Sequence, residues 1–336
     1  MEAATETADA TAQSLRPLTE RILADLPGPA ALWIAAWALV PWLNAAANLG
    51  LGGDRTSAVW EQSTTLVVLN YVALSGGVVI ALWGSGRIAR RLEALRAERS
   101  KVLAGDVDEP FRGMSSLSGP LGAAAVTALV LGASTLAREG WGPAVLRGTT
   151  WLIIGTALWT FLWTYASLQL GLGRLGRQRL LPEAVRVDPS LGLRPLGNAA
   201  FAGLWMLLVW LVPVLLTGLP DLPGIVLGLL VLAGGLGFFT LSIVRLHRNM
   251  VEVKAAELAF ARELYAQAYE PVRAARSLEA LERQQGLLAA ADALEKRAGA
   301  IHEWPIADAT FAWVITITTS VLAMTLGRLI LSPLGL

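Results

Sequence analysis

The sequence predicts an all-α integral membrane protein with seven transmembrane helices and a cytoplasmic helical hairpin between the sixth and the seventh. Three observations carry this prediction. Of 336 residues, 54% are hydrophobic and only 16% charged, with a mean hydropathy of +0.54. A soluble domain carries about 25% charged residues, and a folded chain of this size cannot hide so much apolar surface from water. The apolar residues also gather into seven stretches, at 31–52, 64–84, 119–137, 150–172, 200–219, 223–245 and 308–331, each near the ~20 residues needed to cross the hydrocarbon core. Lastly, arginine and lysine alternate between the connections, rich in every second one.

The tail, 1–30, sets Glu2, Glu6, Asp9, Glu20 and Asp25 against Arg16 and Arg21. A secretory signal begins with basic residues, so this reads as a retained segment. Leu18, Ile22 and Leu26 are spaced to form the apolar face of a short helix from Pro17, lying on the membrane surface. The bland alternative is a mobile tail.

The six-helix region, 31–245, follows. Its first span holds Pro41 with Asn44 and Asn48 one turn apart, and its second holds Asn70 and the pair Gly76-Gly77. The connection 85–118 carries Arg87, Arg90, Arg91, Arg96, Arg99, Lys101 and Arg112, and begins as a continuation of the second helix. The connection 173–199 carries Arg174, Arg177, Arg179, Arg186 and Arg194. Both are expected inside. The other connections hold Arg55, then Arg138 and Arg147, then the base-free Leu219–Pro223 turn, and are expected outside. This puts the N-terminus in the cytoplasm and, after an odd number of spans, the C-terminus outside. Arginine far outnumbers the three lysines, Lys101, Lys254 and Lys296. With the Ala, Leu and Gly richness this fits a GC-rich bacterial gene and a bacterial inner (cell) membrane.

The fourth span places Thr160, Thr164, Tyr165 and Gln169 along one side, and Gly234-Gly235-Leu236-Gly237 lies in the sixth. Residues 246–307 read as the hairpin: an outgoing helix that breaks at Pro271, and a returning limb from Leu278 to Ile301 with a bend at Gly286. Its acids and bases nearly balance, which suits packing on protein better than on anionic lipid. The last segment, 308–336, is the seventh helix with a short outer end. There Ala312, Thr316, Thr319, Ser320, Ala323 and Gly327 fall on one face, and Arg328 stands near the outer mouth.

Absences narrow the chemistry. Without cysteine there is no disulfide, thiolate metal site, iron–sulfur cluster or cysteine nucleophile. Both histidines, His247 and His302, lie in the hairpin, away from any position for an axial haem ligand inside the bundle. The spans offer no lysine for a retinal Schiff base and no midplane carboxylate for proton coupling, since Glu61, Asp221 and Asp308 sit at edges. Phosphate-loop, zinc-protease and nucleophile-elbow motifs are missing. His302-Glu303 is an acid–base pair without a third member. No enzyme, cofactor or metal is expected, and a net charge of +1 gives no nucleic-acid footprint.

The leading expectation is a homo-oligomeric channel in the lipid bilayer, with the seventh helix nearest the symmetry axis. Thr316, Thr319, Ser320, Ala323, Gly327 and Arg328 would line the path, because uncharged hydroxyls serve water and ions in a ring of subunits. Asn44, Asn48, Asn70, Thr160 and Thr164 are candidates for a polar route or for interhelical hydrogen bonds. A second reading is a non-transporting scaffold or signalling subunit that docks a cytoplasmic protein partner through 246–303. A third is a broken-helix transporter with a cavity bounded by Asn70, Gly76 and Gly235.

Overall fold

A computed structural model describes residues 15–50, 64–94, 109–177, 193–217, 222–274 and 278–305, and Ala312, Trp313, Ile315, Thr316, Thr319, Ser320 and Ala323. The side chains at 48–50, 64–67, 212–217, 222–227, 272, 274 and 278–284 are excepted. The chain is all-helical, without a strand among the described residues. Among them, five helices are long and apolar enough to cross a membrane: Ala30–Ala47, Val68–Ala94, Glu109–Glu139, Trp141–Leu175 and Gly228–Pro271. This is the build of a multi-pass membrane protein.

The helices are α1 (Leu18–Asp25), α2 (Ala30–Gly50), α3 (Thr64–Ala94), α4 (Ser118–Glu139), α5 (Trp141–Leu175), α6 (Arg194–Thr217), α7 (Leu222–Ala274) and α8 (Leu278–Gly299). A 3₁₀ helix at Glu109–Ser115 precedes α4. The bundle is organised around α5, which packs against α4, α3, α2 and α7 and takes the 3₁₀ helix along its C-terminal half. Its contacts with α4 use small residues, Gly132 facing Gly148 and Gly155 facing Ala124, so the two backbones approach closely. The interior is filled by Val78 and Leu82 of α3, Phe161, Leu168 and Leu172 of α5, Leu204 and Leu207 of α6, and Phe239 and Ile243 of α7. The outward sides of α2 (Leu32, Leu39, Leu43) and α4 (Val126, Leu129, Val130) are exposed. Water would penalise these surfaces, whereas lipid tails accept them.

Several boundaries differ from the sequence expectation, each for a local reason. α5 begins at Trp141, not near 150, so the connection with α4 shrinks to Gly140, whose φ of 89° suits glycine. Pro143 stands in the first turn of α5, where proline loses no helical hydrogen bond. α6 begins at Arg194 with Pro195 in the same favourable place. α7 runs on through Pro271 to Ala274, and α8 runs unbroken through Gly286.

At 53 residues, α7 is about 80 Å long. It packs with α8, and the ion pairs Arg262–Glu295 (3.7 Å) and Lys254–Glu303 (3.0 Å) order the contact. A step back along α7 is matched by a step forward along the following chain, so the two run antiparallel. Buried Ala261 and Ala268 on α7, and Ala291 and Ala298 on α8, recur every two turns and let the helices close tightly.

The short helix from Pro17 exists as α1, but it docks on protein. Leu15, Leu18 and Thr19 are buried, and the Thr19 and Ser85 hydroxyls are 3.1 Å apart. The Glu20 carboxylate lies over Gly86 with Arg90 at 3.8 Å. Burial raises the Glu20 carboxyl above the ordinary carboxylate range, against the pull of Arg90 and Arg16.

Candidate functional site

The described residues of the last helix, Ala312, Trp313, Ile315, Thr316, Thr319, Ser320 and Ala323, are helical and exposed, and at 100° per residue they share one side. Its hydroxyls bond within the helix: Thr316 Oγ1 donates to the Ala312 carbonyl at 3.0 Å, Thr319 Oγ1 to Ile315 at 2.8 Å and Ser320 Oγ to Thr316 at 2.8 Å. Such back-bonding leaves a helix face that is polar in outline, uncharged and tolerable in lipid or water. Gly327 and Arg328 lie outside the described residues.

Polar groups in the bundle are treated differently. Thr160 and Thr164 are buried; Thr160 Oγ1 donates to the Thr156 carbonyl at 2.6 Å, and Thr164 Oγ1 has no partner among the described residues. The adjacent Tyr165 donates through Oη to the Gly235 carbonyl of α7 at 2.8 Å, and one turn further Gln169 Nε2 donates to the Ala200 carbonyl of α6 at 3.3 Å. Ser242 Oγ is 2.6 Å from the carbonyl oxygens of Gln169 and Phe238. These side chains bind α5, α6 and α7 together. Asn44 and Asn70 are half-buried, and the side chain of Asn48 lies outside the described residues.

The glycine pairs do not interrupt their helices. α3 is helical through Gly76-Gly77 and α7 through Gly234–Gly237. Gly77 gives its space to the Trp210 indole and Gly235 to Leu207, while Gly76 and Gly234 face open space. The carbonyl of Gly235 is taken by Tyr165. Unwound backbone, which the transporter reading needs, is not found at either pair.

His302 is exposed, and the neighbour of Glu303 is another histidine. His247 Nδ1 lies 2.7 Å from the Glu303 carbonyl oxygen, and the His247 ring stacks on Trp304. Lys254 donates to Glu303 Oε1 at 3.0 Å and holds this carboxyl below its ordinary range. The arrangement ties α7 to the elbow before the last helix. Its carboxylate faces a lysine, not an imidazole, so the acid–base pairing read from adjacency does not form.

Sequence reasoning missed the 3₁₀ helix, which buries Pro110, Phe111 and Met114 against α5. Phe111 sits on Gly171, and Trp163 Nε1 donates to the Gly113 carbonyl at 2.8 Å. The signal was present in Pro110-Phe111-Arg112-Gly113-Met114, where apolar residues alternate with turn formers. Ser242, a lone serine in an apolar run, gave none.

No protein-family model, curated protein or solved structure matches the chain.

Proposed function

We propose that the chain is a subunit of a homo-oligomeric membrane channel with seven spans, the last nearest the symmetry axis. α2 to α6 and the first half of α7 form six of them; 308–331 forms the seventh. The α7–α8 pair projects into the cytoplasm. Support for the orientation comes from one end of the bundle, where Arg245 of α7 lies against Gly173 and Gly176 of α5 and Arg174 reaches the Pro110 carbonyl. Arg90 meets α1 at the end of α3, another helix end rich in arginine. Among the described residues, the opposite, α4–α5 end has only Arg138 and Arg147, so by the positive-inside rule the arginine-rich end is taken as cytoplasmic.

One observation carries the channel reading. Within the bundle, Tyr165 and Gln169 of α5 bond to neighbouring helices and Thr156, Thr160 and Thr164 are buried, whereas the described hydroxyls of the last helix are exposed and bond to their own backbone. The interior around α5 is filled by Phe161, Leu168, Leu204 and Phe239. A path therefore belongs between subunits, where rings of Thr316, Thr319 and Ser320 offer hydroxyl oxygens to water and ions and Ala323 leaves room between them.

The subunit count tests this. Native mass spectrometry of protein released from lipid nanodiscs is expected to give a tetramer or larger ring. A monomer or dimer contradicts the channel and favours the scaffold. Exposed Phe260, Tyr265, Tyr269 and Leu287 on α7 and α8 support that second reading, because aromatic side chains left outside a span suit a protein partner.

A further inference from the structure

Connections between helices ordinarily run over the surface with few fixed contacts. The one from α8 into the last helix is fixed by several groups at once. The rings of His247 and Trp304 are 3.9 Å apart at their centroids and inclined by only 11°. The Glu303 carbonyl can only accept, so His247 Nδ1 carries the proton in the 2.7 Å contact between them. Lys254 is two turns along α7 from His247, on the same face, and holds the Glu303 side chain at 3.0 Å. Ile301 and Pro305, on either side, are buried. The elbow is thus gripped through its backbone, one ring and one carboxylate, all by α7.

We propose that this junction is a positioning latch, through which displacement of α7 outside the membrane re-orients the last helix and the face bearing Thr316 and Ser320. Two features make the transmission mechanical. α7 is helical without interruption from Leu222 to Ala274, so a force on its extension reaches His247 through a continuous rod. The elbow also stands close to the last helix in sequence: six residues lie between Pro305 and Ala312, so the anchor and that helix are joined by a short tether. The functional meaning of the latch rests on the channel reading; the coupling itself does not.

The test uses the full chain in nanodiscs, as wild type, His247→Ala, Trp304→Ala, the double variant and Trp304→Phe. Two quantities are read: amide hydrogen exchange at 312–323 and potassium efflux from proteoliposomes. Each alanine variant is expected to raise exchange at 312–323 about tenfold and to change efflux at least threefold. The double variant should be no worse than the worse single one, because both remove the same stack, and Trp304→Phe should stay near wild type. Lys254→Met leaves the stack in place and should give a smaller rise, which keeps the test available if Trp304→Ala does not assemble. Faster exchange confined to 301–305, with 312–323 unchanged, overturns the latch, as does full additivity in the double variant. Coupled exchange in a protein that passes no potassium supports the latch and removes the channel reading.

Discussion

Thr316→Trp is expected to cut ion conductance at least tenfold while leaving the subunit count unchanged. Thr316 is exposed on the last helix, and its hydroxyl bonds only to the Ala312 carbonyl. Removing that contact therefore costs the fold little. If the face lines a narrow path, every subunit adds an indole at the same depth, and the ring of added volume closes the opening. Planar-bilayer recording in potassium chloride, beside native mass spectrometry of the same preparation, reads both quantities. Unchanged conductance with intact assembly would place Thr316 away from the path. Loss of assembly would instead place it at a tight contact between helices.

Adjacent glycines of α3 are expected to respond with opposite signs. Gly77 carries no side chain because the Trp210 indole of α6 occupies that space, and Trp210 is itself buried. Gly77→Ala sets a methyl group on the indole and forces it out of its site, an overpacking that costs about 1–3 kcal/mol. Gly76 faces open space, so Gly76→Ala gains helix propensity of about 0.5–1 kcal/mol. Thermal unfolding in detergent, followed by loss of the size-exclusion peak, should show Gly77→Ala below wild type and Gly76→Ala at or above it. Combining Gly77→Ala with Trp210→Leu should recover part of the loss. Equal tolerance at both positions would mean that the α3–α6 contact is not packed this way. It would also return the glycines to the list of candidates for an unwound binding segment.

What could be read in the sequence follows from the solvent. Lipid demands long apolar helices, and the stretches behind α2, α3, α4, α5 and the first part of α7 announce themselves by length and composition alone. The spacing of the hydroxyls Thr316, Thr319 and Ser320 and the small Ala323 was legible for a similar reason, since a helix converts spacing into a face. Ends were harder. Pro271 was expected to break its helix, yet the helix runs through it and ends only three residues later.

Partners across the bundle were not legible. Thr19 with Ser85, Tyr165 with Gly235 and His247 with Trp304 are each more than fifty residues apart, and no local pattern says which carbonyl or ring will stand opposite. His302 beside Glu303 shows the converse. Adjacency in sequence suggested chemistry, but the elbow turns His302 outward and gives Glu303 to Lys254.

The claim that the last helix borders water can be read directly, because the chain contains no cysteine and a single introduced thiol is free of background. Thr316→Cys, Ser320→Cys and Ala323→Cys, with Leu129→Cys on the exposed side of α4 as the lipid reference, would be treated with a charged, membrane-impermeant methanethiosulfonate during bilayer recording. The account predicts that all three last-helix positions react and lose current while Leu129→Cys stays silent. Silence at Thr316→Cys, Ser320→Cys and Ala323→Cys in a conducting protein would contradict it and place that face against lipid or a neighbouring helix.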